Sequence, residues 1–213
     1  MAKKKITIKK KATLKKKVIR KLKLKILVAS TVYNFQNELT QICGILKSYG
    51  YEVINSHIGT VRVHPKKSNL MNCLVAVEEC DLILGIVRPF YGSGIIKGKA
   101  ITHHEISKAI ELDKPRWFLT HGNVQFARQL LQQYRYRGEN RKNRSFRFKK
   151  TSVMDNLKVI DLYDEIIRSD EDANDRTGNW NQEYYTIDDI FRYLKTQFKD
   201  VDWIRGVIND MAN

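Results

Sequence analysis

Residues 1–25 contain no acidic side chain, and the 213-residue chain has only three cysteines. No apolar run approaches the roughly 20 residues that span a bilayer. Each absence removes a class of protein. Cys43, Cys73 and Cys80 are an odd set with no C-x-x-C spacing, which excludes a metal-type pair and points to buried thiols in a reducing compartment. The basic first residues are not followed by an apolar h-region, so they do not read as a secretory signal. The expectation is a soluble, cytoplasmic protein without a transmembrane segment.

Several catalytic signatures are missing as well. No G-x-G-x-x-G follows the first apolar run, and there is no Walker lysine loop. His104-Glu105 begins an H-E-x-x-H, but position 108 is lysine, which excludes a zincin-type helix. His103 and His104 are adjacent and point about 100° apart on a helix, poor geometry for sharing one metal. No metal site is expected. Ser30 has no base partner in the sequence, so a serine-hydrolase reading is unsupported.

What is abundant is positive charge, unevenly placed. The formal net charge is +16. Residues 1–25 hold 13 Lys/Arg, and residues 128–150 hold 9 against a single acid. Residues 26–127 are nearly balanced, and residues 151–213 are acidic. Residues 1–24 thus read as a polybasic arm, either a solvated extension or a sequence-blind, salt-sensitive contact to nucleic acid or another polyanion.

After the arm the pattern becomes regular. K-I-L-V-A-S (25–30) reads as a buried strand, residues 34–49 as a helix closed by Gly50, and Y-E-V-I-N-S (51–56) as a second strand. Ser68 is placed to cap a helix through Leu70, Met71, Leu74, Val75 and Val77. D-L-I-L-G-I-V (81–87) and P-R-W-F-L-T (115–120) read as strands around a helix at 102–112. A helix near 123–136 and a short strand at L-K-V-I-D (157–161) continue the alternation. Residues 137–150 read as a basic loop, the stretch beyond 170 as irregular, and 186–198 and 201–211 as helices. Strand–helix alternation at this spacing predicts an α/β, flavodoxin-like doubly wound parallel sheet of about five strands over residues 25–170, with a helical extension at 171–213.

In such sheets ligands bind beyond the carboxyl ends of the strands. The predicted strands deliver Ser30, Thr31, Tyr33, Arg88, Tyr91, Gly92, Ser93, His103, His104 and His121 to that edge as candidate substrate-binding residues. A helix start beside small residues and an arginine suits phosphate. Asp81 and Cys80 fall at the opposite, amino-terminal edge, where a structural role is expected. Glu105 has two readings. With Thr102 it has the spacing of a capping box, flanked by Ile101 and Ile106 as a hydrophobic staple. It is equally placed to be a catalytic carboxylate.

The segments K-I-L-V-A-S-T-V-Y, C-L-V-A-V-E-E-C-D-L-I-L-G, R-P-F-Y-G-S-G, I-T-H-H-E-I-S-K-A and K-P-R-W-F-L-T-H together resemble a prokaryotic domain family of unknown function. That family is similar in fold to TIR domains and nucleoside 2-deoxyribosyltransferases, flavodoxin-like proteins that cleave N-glycosidic bonds. In both relatives a glutamate on the helix after the third strand is catalytic, and Glu105 matches it by position. Asn34 stands where the family has aspartate. The resemblance implies a nucleotide or nucleoside ligand, with NAD or a nucleoside as substrate rather than a permanently bound cofactor. The reaction would be N-glycosidic hydrolysis or base transfer, in a setting such as anti-phage defence.

Two further readings stand beside the enzyme. One is a nucleotide-sensing or assembly module without turnover, which would allow a homo-oligomer. The other is a nucleic-acid-associated protein. There Arg135, Arg137, Arg144 and Arg147 interleave with Tyr134, Tyr136, Phe146 and Phe148 in a pattern suited to single strands, or else form only a helix end and a basic loop.

Overall fold

The computed structural model describes residues 22–92, 94–138, 142–176 and 178–212. Most of the polybasic arm and Ser93 therefore lie outside the described residues. Five parallel strands form one sheet: β1 (Lys25–Ser30), β2 (Glu52–Ile54), β3 (Leu82–Val87), β6 (Arg116–His121) and β7 (Trp180–Tyr184), in the order β2-β1-β3-β6-β7. Helices α1 (Gln36–Ser48), α6 (Ile187–Phe198) and α7 (Val201–Ala212) cover one face. The other is covered by α2 (Asn69–Glu79), α3 (Ile101–Glu111), α4 (Gly122–Arg135) and α5 (Lys158–Ile166). The flavodoxin-like α/β expectation holds.

The layers follow from strand periodicity. Ile26, Val28, Leu82, Leu84, Ile86 and Leu119 point to α1 and α6, while Leu27, Ala29, Ile83 and Phe118 point to α2, α3 and α5. All six residues of β3 are buried. Gly85 on that strand is required by packing: a Cβ there would lie 2.7 Å from the Phe118 ring and 3.2 Å from Ile106. At the amino-terminal edge, the Asp81 carboxylate accepts the Lys25 N–H at 2.7 Å and the Asp81 N–H donates to the Lys25 carbonyl, so Asp81 joins β1 to β3. Cys80 is buried beside it.

Several sequence expectations are corrected. L-K-V-I-D is not a strand but the start of α5. Val159, Ile160, Leu162, Tyr163 and Ile166 are its buried residues, a helical spacing that a short apolar window cannot distinguish from a strand. The fifth strand is instead W-N-Q-E-Y, inside the segment expected to be irregular and helical. It is an edge strand in which only Tyr184 is buried, so its hydrophobic signal is weak. The glycine-rich stretch after β3 carries a two-stranded antiparallel hairpin, β4 (Ile95–Ile96) and β5 (Lys99–Ala100).

Leu24, assigned to the arm by its sequence, belongs to the core. It is 8% exposed, and its carbonyl accepts the Glu52 N–H at 2.9 Å. A chain beginning at Leu22 is expected to melt with the full-length protein. One beginning at Lys25 should lose about 2 kcal/mol of burial and melt roughly 4–8 °C lower. Thermal denaturation of the two truncations checks this.

Candidate functional site

β1 and β3 end side by side, so Ser30–Tyr33 and Arg88–Gly92 leave the sheet together at its carboxyl edge. The loop after β2 folds over them. Asn55 pins it by donating to the Val28 carbonyl at 2.8 Å and accepting from the His57 and Ile58 N–H groups at 3.0 and 3.2 Å. Asn72 on α2 holds the loop's far end by accepting from His64 N–H at 2.9 Å. Between this loop, α2, α3 and the strand ends lies a cavity of about 460 Å³. Ser30, Thr31, Tyr33, Tyr91, Gly92 and Glu105 line it, as expected, together with Ser56, Asn69, Asn72, Cys73 and Thr102. Gly92 adopts φ +92°, a conformation other residues rarely take, and a Cβ there would meet the Thr31 methyl at 3.4 Å.

Glu105 reaches this cavity because α3 starts earlier than the capping pattern implies. The N-cap is Ala100, which has no side-chain cap, so the Thr102–Glu105 box and the Ile101–Ile106 staple do not form. The Ala100 N–H is instead satisfied by the Tyr91 phenol oxygen at 3.2 Å. Glu105 then falls in the second turn and is 6% exposed. Burial pushes its carboxyl up to about 7, against the opposing effect of a hydrogen bond with the Cys73 thiol. Burial, reinforced by the charge and hydrogen bond of Glu105, pushes the Cys73 thiol up to about 12. Cys73 therefore stays protonated near neutral pH beside the carboxyl.

Behind the cavity wall, a buried chain of polar groups fixes the start of α3. The Tyr91 hydroxyl lies 2.5 Å from His103 Nδ1, and His103 Nε2 lies 2.9 Å from Glu165 Oε2 on α5. With the imidazole proton on Nε2, the phenol donates to Nδ1 and every partner is satisfied. Lys99 Nζ reaches the same Glu165 oxygen at 3.2 Å and Ser107 Oγ at 2.9 Å. Burial alone would raise the Glu165 carboxyl, but hydrogen bonds to His103 and Ser107 and the Lys99 charge hold it at about 2. Asp155 adds to the clamp by accepting the Tyr91 N–H at 2.7 Å.

The remaining candidates are placed elsewhere. Arg88 does not face the cavity. Its guanidinium donates to the carbonyls of Thr31, Tyr33 and Asn34 at 3.3, 2.5 and 3.1 Å and lies over the Phe35 ring, 4.4 Å from its centre. It locks the β1–α1 turn rather than waiting for a phosphate. His103 faces α5, and His104 Nε2 contacts the Ile96 carbonyl at 2.8 Å, which holds the hairpin. His121 caps α4, accepting the Asn123 N–H at 3.1 Å, and its ring packs edge-on against Tyr184. Burial, then the nearby Arg88 charge, pushes the His121 imidazole below its usual range. Arg135 is 8% exposed and paired with Asp161 at 2.7 Å, so it holds α4 to α5 and is not free for nucleic acid. Arg137, Arg144 and Arg147 are exposed.

Cys73, Asn72 and the loop after β2 escaped the sequence reading. The carboxyl-edge rule would have pointed to that loop had it been applied to β2 as well. Nothing in sequence distinguished Cys73 from a core thiol. Among the described residues, no group of three His, Cys, Asp or Glu side chains stands close enough to hold a metal. Nor is any helix among them long and apolar enough to cross a membrane.

Fold and site together define a doubly wound α/β protein with a carboxylate-bearing cavity at the strand ends. Residues 25–176 match the family described as Domain of unknown function (DUF4062), and the chain belongs to it. No curated protein matches the chain.

Glu165→Gln should destabilise the protein at pH 7 by roughly 1–2 kcal/mol, given the solvent that reaches this carboxylate. A depressed carboxyl stabilises the fold above its ordinary value of about 4.5 and loses that effect as pH falls towards 2. The gap between wild-type and variant melting temperatures should therefore narrow steadily below pH 4.5.

Proposed function

We propose that the cavity binds a nucleoside or the nucleoside part of a dinucleotide such as NAD, and that Glu105 acts on the N-glycosidic bond. The observation that carries this reading is a buried carboxyl, the single one among the described lining residues, in a cavity at the strand ends, with its ionisation raised to about 7. Around it Ser30, Thr31 and Thr102 offer hydroxyls matched to those of a sugar. Tyr33, at the end of β1 and 60% exposed, offers a ring face to a base. The resemblance to TIR domains and nucleoside 2-deoxyribosyltransferases supports the same chemistry.

In this mechanism the C1′–N bond breaks and its electron pair leaves with the base. Ionised Glu105 stabilises the oxocarbenium-like sugar or attacks C1′ to form an ester. Water adds its oxygen to C1′, breaking the ester bond to Glu105 and returning the carboxylate where that bond has formed, and the proton it releases neutralises the base anion that a neutral nucleoside expels. A cationic nicotinamide leaves without needing protonation. Among the described residues, no Lys, Arg or His lines the cavity. Selection therefore falls on the neutral or cationic nucleoside part, and any phosphate stays at the mouth.

A binding module without turnover is the second reading. It is favoured by the lack, among the described residues, of a second carboxylate or histidine lining the cavity to serve as general acid.

The full-length protein incubated with NAD and a nucleoside panel should release free base, detected by chromatography. The rate at limiting substrate should rise as pH increases through about 7, because burial raises Glu105 and the acting form is the carboxylate. Glu105→Gln should lower turnover by about 100-fold or more while ligand binding persists. A ligand that shifts the melting temperature but never releases base would overturn the enzymatic reading and leave the binding module.

A further inference from the structure

A second surface lies away from the cavity, on the solvent side of α4. Phe126, Leu130 and Tyr134 are spaced four residues apart and are 63%, 53% and 50% exposed. Two turns of helix separate the first from the last, so they form one apolar stripe about 12 Å long. At its C-terminal end the stripe is extended by the loop that follows. Asn143 fastens that loop to the helix end: its N–H donates to the Arg135 carbonyl at 2.6 Å, and its side-chain amide donates to the Tyr134 carbonyl at 3.0 Å. This anchor stacks Phe146 on Tyr134, with centroids 6.1 Å apart and planes at 29°.

Over the described loop residues 142–150 the charge is of one sign. Arg137, Arg144, Arg147, Lys149 and Lys150 are exposed and form no ion pair among the described residues. The cations that belong to the fold are different ones, since Arg128 and Arg135 are paired with Asp164 and Asp161 on α5. The loop thus separates arginines held in ion pairs from ones that have none, of which Arg147 donates only to the Arg144 and Phe146 carbonyls, and sets the latter beside an aromatic stack. Flat exposed rings flanked by unpaired guanidinium groups match a ligand with alternating flat apolar faces and anionic links. An acidic peptide would use the charge but not the rings. A lipid surface would favour aliphatic insertion over a stacked pair lying against its own helix.

We propose that the exposed face of α4 and the loop over residues 142–150 form a binding site for single-stranded nucleic acid. Bases stack on Tyr134 and Phe126, and phosphates contact Arg137, Arg144 and Arg147. This site is independent of the cavity and of any activity there.

Fluorescence anisotropy with the full-length protein tests it, using labelled single-stranded oligonucleotides, the corresponding duplex, heparin, an acidic peptide and anionic phospholipid vesicles. Tyr134→Ala and Phe126→Ala should each weaken single-strand binding about tenfold, with little effect on duplex or heparin, which the basic arm can still attract. The double variant Arg144→Glu/Arg147→Glu should weaken all nucleic acids and lower the salt dependence of binding. All positions are on the surface, so melting temperatures should match wild type and exclude misfolding. Aromatic variants that leave single-strand affinity unchanged would overturn the proposal. So would tighter binding of the peptide or vesicles with the same residues responsible.

Discussion

The central pairing of β3 with β1 and β6 is the constraint on which the molecule depends. Every residue of β3 is buried, so its main-chain groups find partners only in the two neighbouring strands. That requirement fixes the parallel register, and the register brings Ser30 and Val87 to the same edge. Gly85 is part of the same constraint, because the Phe118 ring and Ile106 occupy the space a side chain would need. The cavity is a consequence: the turns that leave β1 and β3 run out together at that edge, and the loop after β2 closes over them.

Into this apolar scaffold the fold places one costly group. A carboxylate as buried as Glu105 is disfavoured in its charged form, and the Cys73 thiol offsets only part of that cost. Behind it a clamp of Asp155, Tyr91, His103 and Glu165 joins the β3 exit, the start of α3 and α5. That clamp contains histidine and carboxylate in catalytic-looking proximity, yet its geometry serves position. It leaves Glu105 as the carboxyl on the cavity wall. The charge pattern on the outer surface follows a parallel division, with Arg88 and Arg135 consumed by the fold and the arginines of the basic loop left outside.

How much of this was legible in the sequence depends on the kind of signal. The β1, β3 and β6 strands are continuous apolar runs, and α1, α2, α6 and α7 carry periodic apolar positions, so their placement followed directly. The fifth strand was missed because an edge strand with one buried residue has no hydrophobic pattern, while α5 offered a four-residue window that looked like one. The capping motif at Thr102 failed because a tertiary contact from Tyr91, distant in sequence, took over the helix start. At the carboxyl edge, Ser30, Thr31, Tyr33, Tyr91, Gly92 and Glu105 line the cavity where the strand order places them. The carboxyl-edge rule misassigned Arg88 and the histidines because side-chain direction at a strand end is set by packing, which sequence order does not encode. Cys73 was invisible as a site residue because its meaning comes wholly from the carboxylate opposite.

The most direct measurement is the ionisation of Glu105 itself. Carbon-13 NMR of side-chain carboxyls in the full-length protein, with Glu105→Gln to assign the resonance, follows that group through a pH titration. A midpoint near 7 is predicted, well above the ordinary glutamate range, because the carboxylate is buried with a thiol beside it. A midpoint near 4.5 would mean that water reaches Glu105 freely, and would contradict the account of a poised, buried carboxylate as the functional centre.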